Sequence, residues 1–167
     1  LIAGTADIAP TSRPANRKEL AAAKAAGLTL ESQNIGSYGV AVVVNAKNPV
    51  QSLKPAQVRG IFTGKITNWK QVGGPDAAIR PVILDKSTGA RAGFQMLAMR
   101  DQDYAPSALA LPTYDEIAAA VAADATAIGY TDIGPLPAGT RAVLIGGQPA
   151  NSTAIYEGVY PYSNELF

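Results

Sequence analysis

The sequence predicts an α/β fold with a largely parallel sheet or sheets, and three observations carry that expectation. Apolar runs of strand length alternate with stretches of helical spacing along the whole chain. The helical stretches open on cap residues, and several close on glycine. Val40-Ala41-Val42-Val43-Val44 is an unbroken apolar run, the pattern of a strand covered on both faces.

Taken in order, Ala6 to Pro10 reads as a short strand. Asn16 is an N-cap residue with Glu19 three positions on, so a helix is expected through Leu20 to Ala26, ended by Gly27. Ile35 to Asn45 is the next strand, and Asn48-Pro49 turns the chain. Pro55 suits a first helical position, and that helix should run to about Phe62 before Gly64 stops it. Ile79 to Leu84 is a strand and Ala90 to about Arg100 a helix. Thr113 and Glu116 have the spacing of a capping box for a helix over Tyr114 to Ala123. Thr126 to Thr131 and Ala142 to Ile145 are the last strong strand candidates. From Gly146 the tail is turn-rich, with Tyr156, Tyr160 and Tyr162 read as packing residues. There is no internal repeat and no low-complexity linker.

Composition narrows the function classes. A chain of 167 residues suits one domain or two small lobes. With 47% hydrophobic and 16% charged residues it should bury a core. A net charge of +1 lacks the basic footprint of a nucleic-acid binder, so no nucleic-acid partner is expected. No stretch approaches the roughly 18–20 apolar residues of a membrane span. Cys and His are both absent, which removes thiol nucleophiles, imidazole acid–base catalysis and His/Cys zinc sites. The cysteine-free composition is compatible with export. The chain opens on Leu1 with no charged-then-apolar leader, which reads as a processed or trimmed product.

The chemistry-bearing stretch is Asp85-Lys86-Ser87-Thr88-Gly89-Ala90-Arg91, set between the apolar run Pro81 to Leu84 and the helical Phe94, Leu97 and Ala98. Hydroxyl side chains at a helix mouth can simply cap the unpaired N–H groups of its first turn. Those N–H groups, the hydroxyls and the Arg91 guanidinium can instead converge on a bound anion. The residues alone leave both readings open.

Other candidates carry less. Gly60-Ile61-Phe62-Thr63-Gly64-Lys65-Ile66-Thr67 resembles a nucleotide-binding loop, but three residues separate its glycines where four are needed, and Ile66 follows the Lys. Asn151-Ser152-Thr153 has the form of a glycosylation sequon. Asp101 and Asp103 have no third carboxylate spaced to help hold a metal and read as a solvated helix end. No Ser-x-x-Lys or Gly-x-Ser-x-Gly motif supports Ser12 or Ser87 as a nucleophile, so a phosphohydrolase on this scaffold is the weakest reading.

Ala6-Asp7-Ile8-Ala9-Pro10-Thr11-Ser12-Arg13-Pro14, then Asn48-Pro49-Val50 through Ile61-Phe62-Thr63-Gly64-Lys65-Ile66-Thr67-Asn68-Trp69, and Ala127-Ile128-Gly129-Tyr130 carry a resemblance across essentially the whole chain. Together they resemble the phosphate-binding component of bacterial phosphate ABC importers. The resemblance implies a periplasmic-binding-protein-like two-lobe α/β fold of type II, with the ligand between lobes joined by two crossover strands. It implies lobe one at 1–36 and 134–167, lobe two at 45–127, and crossovers at 37–44 and 128–133. It implies a periplasmic or cell-surface binding protein for phosphate or a similar oxyanion, a membrane permease as partner, no catalysis, and no metal or nucleotide cofactor.

The family's loop usually reads Gly-Ser-Gly-Thr-Arg, so the resemblance puts Ser87, Thr88, Gly89, Ala90 and Arg91 at the anion. Ser87 stands where a Gly is usual and Ala90 where a Thr is usual. Losing one neutral donor at a desolvated anion costs about 1–3 kcal/mol unless Ser87 compensates. A second contact set is implied at Thr11, Ser12 and Arg13, whose other reading is a turn cap before Pro14. Asp85 is either a sensor of a protonated oxyanion or a strand-end partner of Lys86 or Arg91. The family's first strand and two of its four ligand loops have no counterpart from Leu1 onward. The expectation is therefore that the chain is a fragment, that a separate N-terminal segment or second chain completes lobe one, or that the site is reduced to an interaction or sensing module.

Overall fold

The computed structural model describes residues 1–11, 15, 17–86 and 88–166. In chain order the elements are α1 (Arg17–Ala25), β1 (Gly36–Asn45), β2 (Ser52–Leu53), α2 (Pro55–Phe62), a 3-10 turn (Trp69–Val72), β3 (Arg80–Leu84), α3 (Gly89–Met99), β4 (Leu109–Leu111), α4 (Tyr114–Ala123), β5 (Ala127–Asp132), β6 (Thr140–Ala142), β7 (Leu144–Ile145), α5 (Ser152–Tyr156) and β8 (Ser163–Leu166). The chain divides into two units, Leu1–Tyr38 with Asn164–Phe167, and Gly39–Ser163. Among the described residues no helix is long and apolar enough to cross a membrane.

In the larger unit the strand order is β4-β3-β5-β1-β6. β3 runs parallel to β4 and β5, whereas β1 runs antiparallel to β5, with Val42 opposite Tyr130. β6 is also antiparallel to β1, so the sheet is mixed, not largely parallel. The chain goes out along β1 and returns along β5, and an apolar run reports burial without reporting direction. Val42, Val43 and Val44 are fully buried. The expected strand at Ala142 to Ile145 is two: the Val143 N–H still donates to Val42, but the Leu144 N–H donates to Gln51, and β7 pairs with β2 instead.

Helix α4 lies close against β5 because Gly129 has no side chain; a Cβ there would meet Ile117 Cγ2 at 2.5 Å and Val121 Cγ2 at 3.1 Å. Thr113 Oγ1 accepts the Glu116 N–H at 3.2 Å, the expected half of the box at the start of α4. At the far end, the buried Asn45 side chain of β1 donates to the carbonyls of Val121 and Ala122 at 3.0 and 2.8 Å, satisfying acceptors that a helix terminus otherwise leaves unpaired. Helices α2 and α3 bring Phe62 and Phe94 together with 5.0 Å between ring centroids, and Phe94 stacks on Tyr130 at 3.9 Å. Burying each such ring contributes roughly 1.5–3 kcal/mol. Trp69, fully buried, donates its indole N–H to the Thr126 carbonyl at 2.9 Å. Tyr160 and Tyr162 are buried, as a packing role requires, while Tyr156 is exposed.

In the smaller unit α1 ends as its glycine predicts. Gly27 has φ +72°, its N–H donates to Lys24 at 3.1 Å, and the Leu28 N–H donates to Ala23 at 2.9 Å, a Schellman closure. The expected N-cap, Asn16, lies outside the described residues. Ala6 to Pro10 forms no strand, contrary to the sequence reading; the stretch is exposed, with Ile8 87% accessible, and no strand pairs with it among the described residues. Short alternation without a partner does not make a strand.

Candidate functional site

The buried strand β3 points its carboxyl end at the mouth of α3. Its ladder with β4 extends one step past the strand, where the Asp85 N–H donates to the Leu111 carbonyl at 2.8 Å. The chain then turns at Lys86 and enters α3 through Thr88, whose φ of −103° and ψ of 133° are those of an N-cap. Yet the Thr88 hydroxyl does not cap: it donates backwards to the Asp85 carbonyl at 3.3 Å. The simple cap reading therefore does not describe Thr88. The N–H groups of Gly89, Ala90 and Arg91 have no acceptor within the helix, and the helix dipole makes that end favourable to an anion.

Arg91 is half-buried and fixed from two sides. Its Nη1 donates to the Leu84 carbonyl at 2.6 Å, and its guanidinium carbon lies 4.3 Å from the centre of the Tyr104 ring. One hydrogen bond and one ring face hold the fork in place. Asp85, Lys86, Thr88 and Arg91 line a cleft of about 830 Å³, with Asp103 and Tyr104 also in its lining. The cleft is thus mixed in charge. Burial pushes the Tyr104 hydroxyl well above the ordinary tyrosine range, so it stays a neutral donor.

Thr88, Gly89, Ala90 and Arg91 come together at this helix mouth as the sequence suggests. Thr11 is exposed and belongs to the smaller unit, while Ser12, Arg13 and Ser87 lie outside the described residues. Tyr104 was missed by sequence reasoning. It sits in the loop after α3, and nothing in its local pattern marks it. A second cleft, of about 440 Å³, lies at the start of β3. Its charged residues Arg80 and Asp124 already face each other at 3.4 Å, and hydrogen bonds from Thr126, then Arg80, hold the Asp124 carboxyl below its ordinary range. Among the described residues no cluster of three metal-ligating side chains occurs.

A family model described as "PBP superfamily domain" matches residues 1–167. Among curated proteins, the phosphate-binding protein PstS of Staphylococcus epidermidis is 32% identical over 105 residues, which is 61% of this chain and 32% of that protein. The PstS of Bacillus subtilis is 37% identical over 70 residues, 42% of this chain and 23% of that protein. Among solved structures, an ABC-type phosphate transport receptor from Vibrio cholerae superposes with a TM-score of 0.85 at 32% identity, covering 98% of this chain and 67% of that one. A putative phosphate ABC transporter substrate-binding protein with bound phosphate from Clostridium perfringens gives 0.78 at 29% identity, covering 99% and 66%. The matched stretches thus span 23% and 32% of the two curated relatives.

Proposed function

The chain belongs to the PBP superfamily and is PstS-like, and from that premise we propose that it belongs to an extracytoplasmic solute-binding protein that captures phosphate or a similar tetrahedral oxyanion for an ABC importer. It performs no chemistry of its own and works at the periplasmic or cell-surface side of a membrane permease. The observation that carries the reading is the mouth of α3, where Thr88 and the anchored Arg91 border the cleft beside a helix start whose first N–H groups have no acceptor within the helix. In this reading Ser87, Thr88, Gly89, Ala90 and Arg91 form one contact set. Thr11, Ser12 and Arg13 form the second set in this reading. Contacts from both sets would make a closed state bind better than an open one, which is what lets a ligand drive closure. The lobe division of 1–36 with 134–167 against 45–127, linked by 37–44 and 128–133, is part of the proposal; in the chain itself residues 134–163 group with the larger unit.

Calorimetric titration of the full-length gene product with phosphate, sulfate, arsenate and molybdate tests the reading. Phosphate binding is expected, and Arg91→Ala should weaken it by about 10- to 150-fold, the worth of a charge-assisted bond. Equal affinity of Arg91→Ala and wild type would refute the site. The resemblance favours a second reading, an interaction or sensing module, because it puts the methyl group of Ala90 where the family's loop usually has a Thr. Silence towards all four anions would select that reading.

A further inference from the structure

We propose that Tyr104 and Tyr130 are positioning residues that set the Arg91 guanidinium for anion binding, an inference that rests on the reading of Arg91 as an anion contact. Four hydrogen bonds close a ring around the helix mouth. Arg91 Nη1 donates to the Leu84 carbonyl at 2.6 Å. The Leu84 N–H donates to the Tyr130 hydroxyl at 3.1 Å. The Tyr130 hydroxyl lies 3.4 Å from that of Tyr104, the longest link. The Tyr104 hydroxyl donates to the Arg91 carbonyl at 3.0 Å, which spends its only proton. Tyr130 must therefore be the donor between the two hydroxyls, and each hydroxyl gives one hydrogen bond and takes one.

From the Leu84 N–H through the two hydroxyls to the Arg91 carbonyl the bonds form one donor–acceptor chain whose members polarise one another and admit few alternative arrangements. The ring closes on Arg91, whose side chain donates to Leu84 and whose backbone carbonyl accepts from Tyr104. The Tyr104 ring, 4.3 Å from the guanidinium carbon, adds the remaining wall. Tyr130 is fully buried, and its ring stacks at 3.9 Å on Phe94 of α3, so the tyrosine is fixed to the helix it serves. Burial also keeps both hydroxyls protonated. The long, flexible Arg91 side chain otherwise loses rotamer freedom on gripping a ligand; here that ordering precedes the ligand.

The test uses the full-length gene product, with calorimetric titration of inorganic phosphate and a thermal melt for each variant. Tyr104→Phe keeps the ring and removes the hydroxyl, and should raise Kd about 3- to 10-fold. Tyr104→Leu removes both and should raise it about 10- to 50-fold. In the Arg91→Ala background Tyr104→Leu should change Kd less than twofold while still lowering Tm, a non-additivity that a merely structural role would not produce. Should Tyr104→Leu fail to fold, Tyr104→Phe and Arg91→Ala/Tyr104→Phe supply the same comparison. If both Tyr104 variants bind like wild type while Arg91→Ala is weakened, the positioning role is overturned and the anion site stands. If the Tyr104→Leu effect persists undiminished in the Arg91→Ala background, Tyr104 does not act through Arg91. If Arg91→Ala binds phosphate like wild type, the anion site fails and the inference with it.

Discussion

Removing one hydroxyl from each of two neighbouring tyrosines should move stability in opposite directions. Tyr160 and Tyr162 are 2% and 1% exposed, and their rings meet edge to face with 6.0 Å between centroids. The Tyr160 hydroxyl donates to the Val40 carbonyl at 2.9 Å, whereas that of Tyr162 is buried without a hydrogen-bond partner among the described residues. Tyr160→Phe therefore leaves a buried carbonyl short of a donor and should cost about 1–2 kcal/mol. Tyr162→Phe removes a desolvated polar atom that gains nothing in return, keeps the ring contacts with Phe94 and Tyr160, and should stabilise by about 0.5–2 kcal/mol. At about 2–4 °C per kcal/mol for a chain of this size, Tm should fall by about 2–8 °C in the first variant and rise by about 1–8 °C in the second. Thermal melts followed by circular dichroism read both. Shifts of the same sign would refute the reasoning, because the chemical change is identical and only the hydrogen-bond state differs.

The same burial has a pH consequence. Tyr104, Tyr130, Tyr160 and Tyr162 all have their hydroxyls pushed above the ordinary range, with burial as the leading cause. The unfolded chain then gives up protons near pH 10 that the folded chain keeps, so unfolding free energy should fall as pH rises above about 10. Urea unfolding between pH 8 and pH 11 measures this; flat stability would contradict it. In Gly129→Ala the new methyl would press on Ile117 at 2.5 Å, so that variant should lose about 1–3 kcal/mol by denaturant unfolding.

Helix ends were legible in the sequence because their determinants are local. Pro55, Thr113 and Gly27 act within one turn of themselves, and α2, α4 and α1 start or stop beside them. Strand direction was not legible, since β1 and β5 read as apolar runs whichever way they pair. The break at Val143 was hidden for a related reason: it depends on which neighbour, Val42 or Gln51, each successive residue meets. At the candidate site, Thr88 to Arg91 could be picked out as hydroxyl, glycine and guanidinium at a helix mouth. Tyr104 and Tyr130 could not, because their bonds to Arg91 and Leu84 cross 13 and 46 residues of chain. Tyr130 did stand within a stretch that carried the family resemblance, but the motif gave it no task.

The amide of Asn45 binds the last turn of α4 to the end of β1 through the Val121 and Ala122 carbonyls. Helix ends ordinarily fray, and their amides trade hydrogen for deuterium long before a protein unfolds. Here unwinding that turn would strand two donated hydrogens in a dry interior. The end of α4 should accordingly exchange only when β1 itself comes apart, making strand and helix a single cooperative block.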